Sequence, residues 1–285
     1  MKTNVFKIEK ETAWCPGCGN FPLRDALKDA LINLNLSHTN VAMFAGIGQA
    51  AKMPHYIHIN GFNGLHGRAM PPALGLRVAN KDMNVIVESG DGDNYGEGGN
   101  HTLHNMRRNL NIAHLVHNNQ IYGLTKGQAS PTSGDKIKTK VQQNGITANP
   151  INPLQLAISA GATFVARAYV GNKEHLTKMI EKAIKHDGYA LVDILQPCVT
   201  FNKINTYKWY SKNSYILEDD YDPTNKFKAF ERAEEFGDEG IPLGVIYETK
   251  KPVFLDKHPQ MPDTPLVYRK TQPSDRKKLL DDFKI

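Results

Sequence analysis

Gly90-Asp91-Gly92-Asp93 follows the apolar run Val85-Ile86-Val87, and Asn118-Asn119-Gln120-Ile121-Tyr122-Gly123 follows a second apolar run, 112–116. If both runs are parallel strands of one sheet, Asp91 and Asn119 meet at the same sheet edge. A carboxylate oxygen, an amide oxygen and a nearby backbone carbonyl are hard ligands. They suit Mg²⁺, which completes its octahedron with phosphate oxygens and water. Asp91, Asn119 and the carbonyl of Ile121 are the expected protein ligands. Gly90 and Gly92 let the backbone approach a diphosphate closely.

Working outward, strand and helix signals alternate. Leu23, Ala26, Leu27, Ala30, Leu31 and Leu34 recur at helical spacing. Strands are expected at 41–45, 83–87, 112–116, 163–168 and 190–195, with helices at 72–79, 97–108, 154–160 and 173–185. Residues 50–70 and 123–152 read as functional loops. Short, continuous apolar strands between helices predict an α/β fold, a parallel sheet with helices on both faces. Ligands of such sheets sit beyond the carboxyl ends of the strands. The Gly46-Ile47-Gly48 turn, Asp91, Asn119 and Cys198 all follow predicted strands. The expected organisation is a cofactor-binding domain over 1–205 and a C-terminal extension over 206–285, packed on the core or on a partner chain.

Composition narrows the function classes. The chain has 285 residues, 40% of them hydrophobic and 22% charged, as expected for a globular protein. No apolar stretch approaches the ~20 residues that span a bilayer, and the first ten residues lack the apolar core of a signal peptide. A cytoplasmic location is therefore expected, with no membrane partner. The net charge is +6, but the charges are dispersed and no aromatic stacking motif accompanies them. Steering of anionic small molecules or an acidic protein partner is a better use of that charge than nucleic acid.

The three cysteines, Cys15, Cys18 and Cys198, suit metal or redox chemistry better than disulfides in such a compartment. A single Cys-x-x-Cys fits zinc, an iron–sulfur cluster or a redox pair. Cys198 follows a strand ending at the predicted site edge, so three thiolates can converge as cluster ligands. His66 is a natural proton shuttle and Arg68 an anion clamp. Lys52 and Lys126 lie in loops expected to line the site and are candidate anion contacts. His101 and His104 read as surface or packing residues, and His55, His58, His114 and His117 carry no informative spacing.

The Gly-Asp-Gly and Asn-Asn pair has the spacing of the thiamine diphosphate signature. The chain further resembles the β subunits of the 2-oxoacid:ferredoxin oxidoreductases. The resemblance rests on Trp14-Cys15-Pro16-Gly17-Cys18-Gly19, Gly46-Ile47-Gly48, Leu65-His66-Gly67-Arg68 and Gly90-Asp91-Gly92-Asp93. It continues through Gly98-Gly99-Asn100, Arg107-Arg108-Asn109, 118–125, Gly127-Gln128, Ser130-Pro131-Thr132 and Pro197-Cys198. It implies a thiamine diphosphate-binding fold, with Gly46, Ile47, Gly48, His66, Gly90, Asp91, Gly92, Asp93, Asn119, Ile121, Gly123, Leu124 and Thr125 around the cofactor and Mg²⁺. It implies an α subunit that completes the site, and oxidative decarboxylation of a 2-oxoacid of the pyruvate or 2-oxoglutarate type to acyl-CoA and CO₂. Electrons would pass through an iron–sulfur cluster to ferredoxin. The resemblance places Lys52, Lys126 and the Leu124-Thr125 backbone near the 2-oxoacid or coenzyme A. One departure stands out. Many relatives hold a 4Fe–4S cluster with four cysteines, the third just after Gly-Ile-Gly, where this chain has Gln49. The competing readings are a non-redox thiamine diphosphate decarboxylase or carboligase subunit, and a zinc-stapled nucleic-acid-binding module.

Overall fold

The apolar runs assemble into one twisted sheet. The computed structural model describes residues 5–258, 261, 263–270 and 273–284. Its strands are β1 (Val41–Ala45), β2 (Asn60–Asn63), β3 (Asn84–Gly90), β4 (Ile112–Asn118), β5 (Ile121–Tyr122), β6 (Gln128–Ala129), β7 (Phe164–Tyr169), β8 (Tyr189–Leu195), β9 (Ser214–Ile216) and β10 (Ile241–Glu248). The helices are α1 (Asn20–Asn33), α2 (Met70–Ala79), α3 (Gly99–Arg108), α4 (Pro153–Ala160), α5 (Lys173–Lys185), α6 (Tyr207–Asn213), α7 (Lys226–Glu234) and α8 (Pro273–Asp281).

The main sheet runs β2-β1-β3-β4-β8-β7-β10-β9. The first six strands are parallel, and β10 lies antiparallel to β7. Every residue of β4, β7 and β8 is buried, because helices cover both faces of these central strands. On one face α1 packs on α5. There Leu23, Leu27 and Leu31 meet Leu176 and Ile180 over Met43, Ile86, Leu115 and Val192. On the other, α2, α3, α4 and α7 cover Val85, Val87, Val116 and Leu191. Each fully buried leucine contributes ~1.5–3 kcal/mol.

Three local differences from the sequence reading bear on the site. Within 50–70, a 3₁₀ turn spans Ala50–His55 and β2 adds a strand at the sheet edge. All four residues of β2 are exposed, so backbone pairing to β1 creates it rather than a burial pattern legible in sequence. The helix expected over 97–108 starts at Gly99, because Gly92–Glu97 winds a single π-helical turn. That turn tucks Asp93 inward. Finally, the segment after residue 205 adds β9 and β10 to the same sheet.

Candidate active site

The parallel register sets the carboxyl ends of β1, β3, β4 and β8 side by side, with Ala45 opposite Glu88, Gly90 opposite His117 and Asn118 opposite Leu195. Just beyond them lies a cleft of about 70 Å³. Ile47, Gly48, His66, Gly90, Asp91, Gly92, Asp93, Asn119, Ile121, Gly123, Leu124 and Thr125 line it. A larger groove of about 890 Å³ lies between Arg77, Lys185, Asp187 and Lys251. It sits at the opposite, amino-terminal edge and holds none of these residues. Ligands of parallel sheets bind at the carboxyl edge, so the smaller cleft is the candidate site.

Asp91 is 1% exposed. Its Oδ2 accepts hydrogen bonds from Ser130 Oγ at 2.5 Å and Thr132 Oγ1 at 2.6 Å. Burial pushes the Asp91 carboxyl up from the usual range, and the two hydroxyls pull the other way. The Asn119 Oδ1 accepts from the Ile121 amide at 3.0 Å, across Gln120 in the left-handed region at φ 58°. This short side-chain turn holds Asn119 and Ile121 together. Gly92 must be glycine, since a Cβ there would stand 2.3 Å from the Tyr122 ring. One carboxylate, one amide and one carbonyl at a single mouth suit Mg²⁺ beside a phosphate. Among the described residues, no three His, Cys, Asp or Glu side chains form a metal-holding group on their own. A cation here therefore depends on amide, carbonyl and phosphate oxygens.

Asp93 serves as a latch. Its Oδ1 accepts from the amides of Ile47 at 3.0 Å and Gly67 at 2.7 Å, joining the Gly-Ile-Gly turn to the His66 loop. Burial raises the Asp93 carboxyl, opposed chiefly by these two amides. Gly46 makes room for it, because a Cβ would lie 2.1 Å from Asp93 Oδ2. His66 Nδ1 lies 2.9 Å from Asp93 Oδ1, an ion-pair distance without hydrogen-bond direction.

The other cations stand apart from the cleft lining. Arg68 is exposed and contacts His101 Nε2 at 2.5 Å. Lys52 sits on the 3₁₀ turn, and Lys126 is exposed in a tight turn at φ 76°.

Behind the cleft is a second cavity, about 30 Å³, onto which Cys15, Cys18 and Cys198 all open. Gln49, Asn119, Gly123 and Gln196 line both cavities and form the wall between them. Burial pushes the Cys18 thiol up to about 11, and its neighbours Cys198 and Cys15 add to the shift. Gln196 Nε2 lies 3.8 Å from Cys18 Sγ.

Sequence reading missed the polar chain beneath these cavities. His117 Nε2 bonds Glu88 Oε2, and both residues are buried. His117 Nδ1 stands 2.8 Å from Asn20 Oδ1, which also accepts from Gln196 Nε2 at 3.0 Å. An amide oxygen only accepts, so Nδ1 carries a proton. Burial raises the Glu88 carboxyl, and His117 opposes that shift. The only signal in the sequence was a glutamate directly after the apolar run of β3.

Comparison with known proteins accords with this geometry. Residues 39–194 match the thiamine pyrophosphate enzyme C-terminal TPP-binding domain, and residues 198–263 match the C-terminal family of the pyruvate ferredoxin oxidoreductase β chain. A 2-oxoacid:ferredoxin oxidoreductase subunit beta of Saccharolobus solfataricus is 44% identical over 250 residues, covering 83% of this chain and 82% of that one. The 2-oxoglutarate oxidoreductase subunit KorB of Mycobacterium tuberculosis is 44% identical over 202 residues, 71% of this chain and 54% of its own. A solved 2-oxoglutarate:ferredoxin oxidoreductase from Magnetococcus marinus, with 2-oxoglutarate, coenzyme A and succinyl-CoA bound, superposes with a TM-score of 0.92. It is 34% identical and is covered over 97% of its length by the whole of this chain. The chain belongs to the family of 2-oxoacid:ferredoxin oxidoreductase β subunits.

Proposed function

We propose that this β subunit holds thiamine diphosphate through Mg²⁺ bound by Asp91, the Asn119 amide oxygen and the Ile121 carbonyl. We further propose that it carries an iron–sulfur cluster on Cys15, Cys18 and Cys198. The observation that carries the reading is the wall of amides between the two cavities, which sets a hard-oxygen pocket directly beside a thiol pocket. The cofactor, when bound, supplies the carbanion chemistry of 2-oxoacid decarboxylation. The residues of this chain supply placement. Ser130 and Thr132 orient the Asp91 carboxylate, the Asn119–Ile121 turn presents two further oxygens, and Asp93 clamps the Gly46 turn against the His66 loop. His66, half-exposed at the mouth, is positioned to exchange protons with a bound acid.

The rim of the cleft carries exposed Ile47, Leu65 and Leu124, the apolar surface expected beneath a docked α subunit. The substrate is a 2-oxoacid, with coenzyme A as acyl acceptor and ferredoxin as electron acceptor. The 2-oxoglutarate bound in the Magnetococcus enzyme makes 2-oxoglutarate the first choice over pyruvate. Among the described residues no helix is long and apolar enough to cross a membrane. A cytoplasmic location is part of the same proposal.

The test is reconstitution with the α subunit. The complex should reduce ferredoxin only when 2-oxoacid and coenzyme A are both present, and should retain thiamine diphosphate, magnesium and iron. Asp91→Ala should lose the cofactor and magnesium together. Full retention of both in Asp91→Ala would remove the basis of the reading.

A further inference from the structure

A four-iron cluster takes four ligands, and the chain has three cysteines. Two other side chains that line the thiol cavity, Gln49 and Gln196, have a buried Oε1 without a hydrogen-bond partner. They are held differently. The Gln196 amide nitrogen is committed to Asn20 and faces Cys18, so this side chain approaches the thiols as a donor. Gln49 is held by its backbone. Its carbonyl accepts from Trp14 Nε1 at 2.8 Å, and Trp14 immediately precedes Cys15. That bond fixes Gln49 against the Cys-x-x-Cys turn, and its side-chain oxygen is buried beside the cavity without a hydrogen-bond partner.

The geometry points to a site-differentiated cluster, with three irons held by Cys15, Cys18 and Cys198 and a fourth corner that faces the Gln49 amide and carries an exchangeable iron. This rests on the iron–sulfur reading above and extends it to the lability of one iron. A neutral amide oxygen is a hard donor and a poor match for iron among soft sulfides. Oxidation by one electron, with ferricyanide as the oxidant, expels that corner. The four-iron core of charge 2+ becomes a three-iron core of charge 1+, one Fe²⁺ is released and one electron passes to ferricyanide. Reassembly takes Fe²⁺ and one electron from dithionite.

The experiment uses the αβ complex purified without oxygen. Iron and labile sulfide per complex are measured, and EPR spectra are recorded before and after one equivalent of ferricyanide. The wild-type complex should release one iron per cluster and develop the three-iron signal, and Fe²⁺ with dithionite should reverse both. Gln49→Cys should keep all its iron through the same treatment, whereas Gln49→Ala should release it at least as readily as wild type. Gln196→Leu should behave like wild type. A wild-type cluster that resists oxidation as firmly as Gln49→Cys overturns the inference and leaves the cluster itself standing. So does a Gln49→Cys complex that loses iron as wild type does. A complex free of iron and sulfide overturns the cluster reading and this inference with it.

Discussion

Thr132 donates its hydroxyl to Asp91 Oδ2 at 2.6 Å, across 41 residues of chain. The same oxygen atom of Thr132 lies 3.0 Å from Asn118 Oδ1. One side chain from the 123–152 segment thus fastens the ends of both β3 and β4. Thr132→Val keeps the shape and removes the donor. Outer partners of a metal ligand are worth about 10–100-fold in metal affinity. Calorimetric titration should therefore give Mg²⁺-dependent thiamine diphosphate binding at least ~10-fold weaker, with stability lower by ~1–3 kcal/mol. Unaltered affinity would show that Asp91 needs no such orientation.

Gly46 and Gly75 make a matched pair of tests. A Cβ at Gly46 meets Asp93 Oδ2 at 2.1 Å, whereas at Gly75, inside α2, nothing lies within 4 Å. Gly46→Ala should displace Asp93 and release the Ile47 and Gly67 amides, abolishing cofactor binding while the circular dichroism spectrum stays native. Gly75→Ala should instead stabilise the protein by ~0.5–1 kcal/mol, read as a higher unfolding midpoint.

The buried Glu88–His117 pair predicts non-additivity. Removing one partner leaves the other without compensation, at ~3–5 kcal/mol, while an apolar pair of similar volume is often neutral. Denaturant unfolding should find Glu88→Leu and His117→Leu each strongly destabilised. The double variant should be more stable than either single one. Simple addition of the two losses would mean the residues act independently.

His114 is fully buried between Ser89 Oγ at 2.8 Å and the Tyr189 hydroxyl at 2.6 Å. Burial pushes its pKa down from 6.5 to about 3. The folded state therefore binds fewer protons than the unfolded chain across that window. The stability linked to His114 is fully present above pH 6.5 and is lost as pH falls toward 3. Unfolding midpoints measured from pH 7.5 down to pH 5 should fall less steeply in His114→Gln than in wild type. Equal slopes would mean that His114 takes up protons as readily in the folded protein as in the unfolded chain.

The alternation of strand and helix was legible because each buried strand of a covered parallel sheet must be a continuous apolar run, closed by glycine where the chain turns. That reading placed Gly46, Asp91, Asn119 and Cys198 at one sheet edge, and the structure has all four there. Charge and loop position singled out Lys52, Arg68 and Lys126, none of which lines the cleft. Side-chain direction in a turn depends on φ and on neighbours that the local sequence does not name. The exposed strand β2 escaped notice because it has no burial pattern, only a partner.

By itself, then, the sequence determined the fold class, the edge where the cofactor chemistry sits and the residue types able to perform it. These follow from local hydrophobicity, glycine and spacing. Only the tertiary structure decided that Ser130 and Thr132 grip Asp91, that His117 bonds Glu88, and that Gln49 lines one cavity with the three thiols. Each of these joins residues remote in the chain. Which of them meet is set by strand register and by the face each strand presents, and the sheet supplies both only once it is assembled.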